Sequence, residues 1–226
     1  MYKVFIVFIS FFSFTVSHAQ INELGLFIGG SNFIGDVGAT QYIQPNSPAF
    51  GLLYKWNKTT RHAWRFSYIQ SKITAKDTKS DDPSRQLRAY EFENTIKEIA
   101  GGIEFNFFDF NIYNPLERKL TPYVFTGLSI SFYNSLYHKY GQAKIDSNEK
   151  TLALPIILGV KSNLTSNFVV GIEVGTRFTF ADDIDGSLPK NNLETPFGNF
   201  NNNDWYVFSG LTLTYTFGNK PCFCAE

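Results

Sequence analysis

The two cysteines are the residues whose type and spacing point most directly to chemistry. Cys222 and Cys224 are the only cysteines, and they stand two positions apart near the C-terminus. In an oxidising compartment such thiols form disulfides, but a ring closed within Cys-x-Cys is strained because its Cα atoms rarely meet disulfide geometry. Three states stay open: an intermolecular disulfide through Cys222 or Cys224, an internal bond, or free or metal-bound thiols. Lys220 lies close by and favours the thiolate of Cys222.

The histidines give little support to an enzyme. His18 falls in a segment with the pattern of an export signal, while His62 and His138 fall in a predicted turn and a predicted loop at opposite rims. A Ser-His-Asp triad needs its members within hydrogen-bond reach. A lipid-modifying enzyme with a His and a Ser at its outer rim would depend on His138 alone. We therefore predict a protein that is not an enzyme, with no catalytic residues, no metal ligands and no cofactor.

Two short motifs resemble binding loops without completing them. The stretch 29–36 is rich in glycine but lacks the spacing and the lysine of a phosphate-binding loop. The stretch 182–186, Asp-Asp-Ile-Asp-Gly, matches only part of a calcium loop. Glycines that let a strand bend account better for the first motif, and an exposed loop rich in Asn and Asp accounts better for the second.

The N-terminus has the pattern of a secretory signal. Lys3 precedes an apolar run from Val4 to Val16, and small residues stand at Ser17 and Ala19 before the predicted cut. The apolar run is shorter than the roughly 20 residues that span a bilayer as a helix. We predict a signal peptide over 1–19, one domain over 20–217, and a periplasmic tail over 218–226 that contains both cysteines.

Eight segments of strand-like pattern follow the signal, and the gaps between them alternate between long and short. Such alternation is typical of an up-and-down outer-membrane barrel, which has tight turns at one rim and longer loops at the other. The predicted fold is all-β, an eight-stranded antiparallel transmembrane β-barrel in the lipid bilayer of the bacterial outer membrane. Proline at position 155 is the weakest point of the assignment, and a bulge there would absorb it. No helix has a convincing period. The predicted strands cover residues 22–30, 48–56, 62–72, 90–108, 121–133, 151–162, 168–180 and 204–217.

Charged residues alternate with the apolar ones inside several of these strands. If the apolar face meets lipid, the charges point into a lumen that eight strands leave just wide enough for side chains to fill. Buried charges need partners, and both signs are present, so we predict a salt-bridge network that closes the barrel. A proton or ion path is the alternative. The predicted lumen charges are Arg65, Glu98, Glu104, Glu173 and Arg177.

Composition agrees with a membrane barrel and argues against two classes of main partner. Aromatic residues make up 17% of the chain, which suits a barrel with aromatic girdles at both interfaces. The formal net charge is zero, which argues against nucleic acid or an anionic lipid surface as the main partner.

Several stretches together resemble a known family. They are INELGLFIGGSNFIGDVG at 21–38, Arg88 with Phe92, Glu98-Ile99-Ala100, EFNFF at 104–108 and TPYVF at 121–125. The chain is similar to the Bacteroidetes outer-membrane barrels typified by PorG of the type IX secretion system. The resemblance implies a barrel that anchors a periplasmic ring, made of a lipoprotein and its partner protein, for protein secretion and gliding motility. It supplies no catalytic residues.

A barrel of this kind would bind its partner at the periplasmic rim. We predict contacts from the unusually long turn 109–120, through Tyr113, Leu116, Glu117, Arg118 and Lys119, and from the tail, through Lys220, Cys222, Phe223 and Cys224. Three alternatives stay open. One is a small pore of the OmpA or OmpW type, another is a surface-recognition barrel that acts through its long loops, and the third is a soluble lipocalin-like barrel.

Overall fold

The computed structural model is a closed barrel of eight antiparallel strands. It describes residues 21–111, 119–191, 195–199 and 202–218; the predicted signal peptide over 1–19 lies outside that part, as does the predicted tail over 218–226 apart from Gly218. Each strand pairs with its neighbours in the sequence, and β1 pairs with β8 from Ile21 opposite Gly218 to Ile34 opposite Trp205, which closes the sheet. The strands are β1 Ile21–Ile34, β2 Ser47–Asn57, β3 His62–Lys76, β4 Glu91–Asn106, β5 Leu120–Lys139, β6 Gln142–Asn163, β7 Phe168–Thr179 and β8 Trp205–Gly218.

The barrel exposes apolar side chains on its outer wall and buries charged ones inside, beside a cluster of buried apolar residues, which is the reverse of a soluble fold. On β1, Leu24, Leu26 and Ile28 each expose more than half of their surface, while Glu23 and Phe27, in the alternating positions, are buried. The same period of two runs through β3, β4 and β8. A closed barrel leaves no unpaired strand edge in lipid, and an apolar exterior requires lipid around it. The protein is therefore an outer-membrane β-barrel, and the soluble alternative is wrong.

The third predicted long loop is a strand hairpin instead. β5 and β6 continue past the barrel wall and turn at Tyr140 and Gly141, whose φ angles of 53° and 79° fit a two-residue hairpin turn. The segment 134–150 contains mostly polar residues and lacks the alternation that identifies a membrane strand, which fits a position outside the lipid. A register shift between Ser135 and Leu136 bends this extension.

Two further details differ from the predictions. Pro155 keeps its register with Arg177, so no bulge absorbs it; the β5–β6 pairing is interrupted beside it and resumes in the same register. The second long connection, between β3 and β4, contains a 3₁₀ turn, Asp77–Lys79, and a short helix α1, Pro83–Arg88, although no helix was expected. Asp82 caps α1 by accepting a hydrogen bond from the Ser84 amide. In the described residues no helix is long and apolar enough to cross a membrane.

Candidate functional site

Glu104 is the centre of the lumen and is bound by three cations. The Nζ of Lys161 lies 2.6 Å from its carboxylate, the Nζ of Lys55 lies 2.8 Å away, and a guanidinium nitrogen of Arg65 lies 3.5 Å away. All four side chains are at most 2% exposed. One carboxylate therefore holds together residues from β2, β3, β4 and β6.

A second ion pair lies against the first. Arg65 donates two hydrogen bonds of 2.8 Å to the two carboxylate oxygens of Glu173. The hydroxyl of Tyr123 donates to the same carboxylate at 2.6 Å, and the Arg65 guanidinium lies 5.0 Å from the ring centre of Phe125. Bidentate pairing of this kind fixes orientation as well as charge. Arg65 therefore links the Glu104 cluster to β7.

Two more carboxylates are satisfied elsewhere in the lumen. Arg177 lies 3.2 Å from Glu98, whose carboxylate also accepts a 2.7 Å hydrogen bond from the Tyr206 hydroxyl. Glu23 accepts hydrogen bonds from Asn57 at 2.8 Å and from Thr214 at 2.7 Å. The described strands thus bury four carboxylates and four cations, and their formal charges cancel. The eight are Glu23, Lys55, Arg65, Glu98, Glu104, Lys161, Glu173 and Arg177.

The five charges named from the sequence all lie in this lumen, but three members of the network were missed. These three lie near the ends of the predicted strands, where charged residues are expected at the rims of the barrel. They are Lys55, Lys161 and Glu23. The alternation of side chains along each strand could have identified them, since Lys55 lies between Tyr54 and Trp56 as Arg65 lies between Trp64 and Phe66.

The mouth at the long-loop rim is filled by a segment of the last connection, which we call the plug, residues 181–187. The plug was expected to be exposed, but Asp183, Ile184 and Asp185 are at most 2% exposed. Its carbonyl groups accept hydrogen bonds from Leu136 N at 3.1 Å and from the Asn94 amide at 2.9 Å. These bonds explain the difference, because they satisfy the plug backbone inside the barrel instead of in water.

The other connections pack onto the plug and form a cap. The Asp185 carboxylate accepts hydrogen bonds from the amides of Asp36 and Val37 at 2.9 and 3.0 Å. Arg88 lies 2.7 Å from Asp77 and also donates to the carbonyl of Asp36 at 2.7 Å. The rings of Tyr90 and His138 stack with their centres 4.4 Å apart, which joins the second long connection, between β3 and β4, to the β5–β6 hairpin.

Acidic side chains in the cap are held in an unusual environment. Burial, together with the nearby carboxylates of Asp185, Asp36 and Asp183, raises the pKa of Asp182 to about 7. Burial also raises the pKa of Asp185, and raises that of Asp204 well above its ordinary value. Among the residues that the structure describes, no three His, Cys, Asp or Glu side chains come together in a way that could hold a metal ion.

These shifts predict that the cap loosens as the pH rises. An aspartate whose folded pKa is raised binds more protons in the folded state, so the stability it contributes is complete below its unfolded pKa of about 4 and is lost as the pH rises. For Asp182 that loss is complete near pH 7. Hydrogen exchange of the plug amides, corrected for intrinsic rates, should be several-fold faster at pH 8 than at pH 5. Asp182→Asn should flatten this dependence and Asp109→Asn at the other rim should not; an unchanged profile in Asp182→Asn would contradict the account.

At the rim with short turns, the described residues include a small buried apolar cluster and one exposed ion pair. Phe110 is buried with Ile21 and Val169, and the Nζ of Lys161 lies 5.0 Å from its ring centre. Arg61 pairs with Asp109 at 2.8 Å in solvent. His62 lies at this rim and His138 at the other.

Most of the predicted partner contacts fall beyond the described part of the chain. The Lys119 amide donates a hydrogen bond to the side-chain oxygen of Asn163 at 2.7 Å, and the Asn163 amide donates to the Lys119 carbonyl at 3.4 Å. The residues that lie outside are Tyr113, Leu116, Glu117, Arg118, Lys220, Cys222, Phe223 and Cys224.

Comparison with solved structures finds barrels of remote similarity. The attachment invasion locus protein Ail of Yersinia pestis, in complex with the heparin analogue sucrose octasulfate, is 14% identical, covering 88% of this chain and 100% of Ail with a TM-score of 0.47. Neisserial surface protein A is 11% identical, covering 88% and 98% with a TM-score of 0.48. The N-terminal barrel of Pseudomonas aeruginosa OprF is 12% identical, covering 88% and 98% with a TM-score of 0.45. At TM-scores below 0.5, these likenesses support no conclusion about function.

Comparison by sequence places the chain in a family. No curated protein matches it. The sequence model of one family, described as a domain of unknown function, matches residues 2–226, which is nearly the whole chain. The protein therefore belongs to the DUF6089 family.

Proposed function

We propose that this protein is a non-enzymatic anchor, which holds a periplasmic protein assembly to the outer membrane. The observation that carries the proposal is the filled lumen. Four cations and four carboxylates neutralise one another inside the described strands, Phe110 covers the short-turn mouth, and the plug covers the other. We infer that the described residues fill the interior and leave no path for solutes, so the surfaces available for function are the two rims.

The assembly we propose is the periplasmic ring of the type IX secretion system, formed by a lipoprotein and its partner protein, which in gliding species also serves motility. The support for this step is the sequence resemblance of residues 21–38 and the shorter matching stretches, together with an interior that suits an anchor. The binding surface would be the periplasmic rim. Its connection between β4 and β5 is longer than those from Asn57 to His62 and from Asn163 to Phe168.

Affinity capture from native membranes tests the proposal. The full chain carries an epitope tag, and detergent-solubilised complexes are identified by mass spectrometry. Replacing 112–118 with a Gly/Ser segment of equal length should abolish capture of the periplasmic lipoprotein and its partner. The matched control, replacement of α1 at the opposite rim, should leave capture unchanged. Capture that survives replacement of both 112–118 and the tail would overturn the proposal.

The cysteine tail has its own readout in the same membranes. We expect a larger species containing this chain on non-reducing gels, which disappears with reductant. Cys222→Ser and Cys224→Ser should identify which thiol forms the bond. A single monomer band in every lane would remove the disulfide from the account and leave the rim contacts as the only link.

Surface recognition through the cap is the second candidate. The observation that favours it is a set of apolar side chains exposed on the long-loop rim: Leu87 is 88% exposed, Tyr42 68% and Ile43 63%. Exposed apolar patches mark interaction sites. If this candidate holds, the α1 replacement should abolish binding of the exterior partner while the periplasmic replacement does not.

A further inference from the structure

Two lysines on the outer wall have no ion-pair partner among the described residues, whereas two neighbouring lysines each have one. Toward the long-loop rim, β3, β4 and β6 expose five lysines, of which Lys144 lies on the β5–β6 hairpin, beyond the other four. Lys72 lies 2.6 Å from Glu93, and Lys76 lies 2.6 Å from Glu91. Lys97 and Lys150, both exposed, form no ion pair or hydrogen bond within the described residues. They therefore leave two uncompensated positive charges at the edge of the apolar belt.

The two lysines flank a single aromatic side chain. Phe132 on β5 is the direct cross-strand neighbour of Lys97 on β4 and of Lys150 on β6. Two strand spacings separate the lysine backbones by about 10 Å, which two lysine side chains can bridge around one anionic group. A groove of about 410 Å³ opens here, lined also by Thr95, Asn134 and Asn148. Glu149 lines it too, but its carboxylate is engaged by Ser147 at 2.8 Å and by Lys190 at 3.4 Å.

An apolar ladder begins one step further into the membrane. Ile99, Ile130 and Leu152 are direct cross-strand neighbours. They form the next row of side chains that face outward from the barrel, and each exposes at least 42% of its surface. The strand period places this row on the same face as Lys97, Phe132 and Lys150. The wall thus presents two cations over an acyl-compatible surface, in the leaflet that faces the long loops.

We propose that this face binds a lipid A molecule of the outer leaflet, with its phosphate groups between Lys97 and Lys150 and its acyl chains along Ile99, Ile130 and Leu152. In an outer membrane, the leaflet on the long-loop side contains phosphorylated, acylated disaccharides. Their headgroups match the paired charges, and their polar sugars match the amide and hydroxyl groups of the groove. This site is independent of the periplasmic rim, so either proposal can fail without the other.

Native mass spectrometry of the full chain, delipidated in detergent, tests the site. The probes are diphosphoryl lipid A, the same lipid after removal of its phosphates, phosphatidylglycerol, and inorganic phosphate as a competitor. Each lysine near an anionic lipid contributes a factor of about 5, and two contribute about 30-fold. Lys97→Gln with Lys150→Gln should therefore weaken binding of diphosphoryl lipid A by about 30-fold. The matched control, Lys72→Gln with Lys76→Gln, removes two ion-paired charges and should change it less than twofold.

Heat-modifiable migration on a gel shows whether each variant folds. If a variant does not fold, the comparison of lipids on the unaltered chain still tests the proposal. We expect dephosphorylated lipid A to bind about 30-fold more weakly than diphosphoryl lipid A. Equal binding of these two lipids would overturn the proposal, as would equal binding of phosphatidylglycerol, displacement by millimolar inorganic phosphate, or equal weakening in the two double variants.

Discussion

Replacing Glu104 by glutamine should destabilise the barrel by about 3–5 kcal/mol, since removing one partner of a buried ion pair leaves uncompensated charge. Glutamine keeps the size of the side chain but removes the only carboxylate that Lys55 and Lys161 contact as an ion pair in the described residues. Three cations from β2, β3 and β6 would then repel one another in a lumen closed to solvent. Urea unfolding of the barrel in lipid vesicles, followed by heat-modifiable migration, measures the change.

Two companion variants make the Glu104 result specific. Asp109→Asn removes a carboxylate from an exposed ion pair, which should cost less than about 1 kcal/mol. Combining Glu104→Gln with Lys161→Met removes the charge left behind and should restore part of the lost stability. If Glu104→Gln costs no more than Asp109→Asn, the lumen is hydrated and the description of a sealed interior is wrong.

Replacing Arg65 by methionine should cost a similar amount, about 3–5 kcal/mol, for the opposite reason. Methionine fills much of the same volume, but the Glu173 carboxylate loses two hydrogen bonds of 2.8 Å and keeps only that from Tyr123. A buried carboxylate with one neutral donor remains. The same urea unfolding measures the lost free energy. Because Arg65 lies in the lumen, the lipid-facing side chains should keep their environment in the variant.

A double-mutant cycle separates lost charge compensation from lost packing at Arg65. Adding Glu173→Gln to Arg65→Met leaves no net charge, so the double variant should be more stable than Arg65→Met alone. Replacing a buried ion pair by neutral groups of similar volume is often neutral in free energy. Additive losses from the two single variants would show that Arg65 acts by packing on Phe125 and not by pairing with Glu173.

The strands, and which of their side chains face the interior, could be predicted from the sequence because both follow from a local period of two. Residues such as Leu24 and Ile28 meet lipid while Glu23 and Phe27 do not, and that alternation is visible in any window of the strand. Charges in phase with the buried positions, such as Arg65 and Arg177, follow from the same rule. In a barrel of eight strands the interior has room for side chains alone.

The cap could not be predicted because its contacts join residues far apart in the chain. The plug is held by Asn94 and Leu136, and Asp185 contacts the amide of Val37, 148 positions away. Its sequence is rich in Asp and Gly, which is typical of an exposed turn. Only the backbone hydrogen bonds supplied by the other connections make its burial favourable.

Planar-bilayer recording of the purified full chain tests the central claim, that the barrel is sealed, most directly. We expect no discrete conductance steps at neutral pH, because the lumen charges are paired and residues of both rims pack over the interior. As a positive control for insertion, the same preparation should show heat-modifiable migration and protease protection of the strands. Stable openings that scale with the amount of folded protein would contradict the sealed lumen and would favour a pore over an anchor.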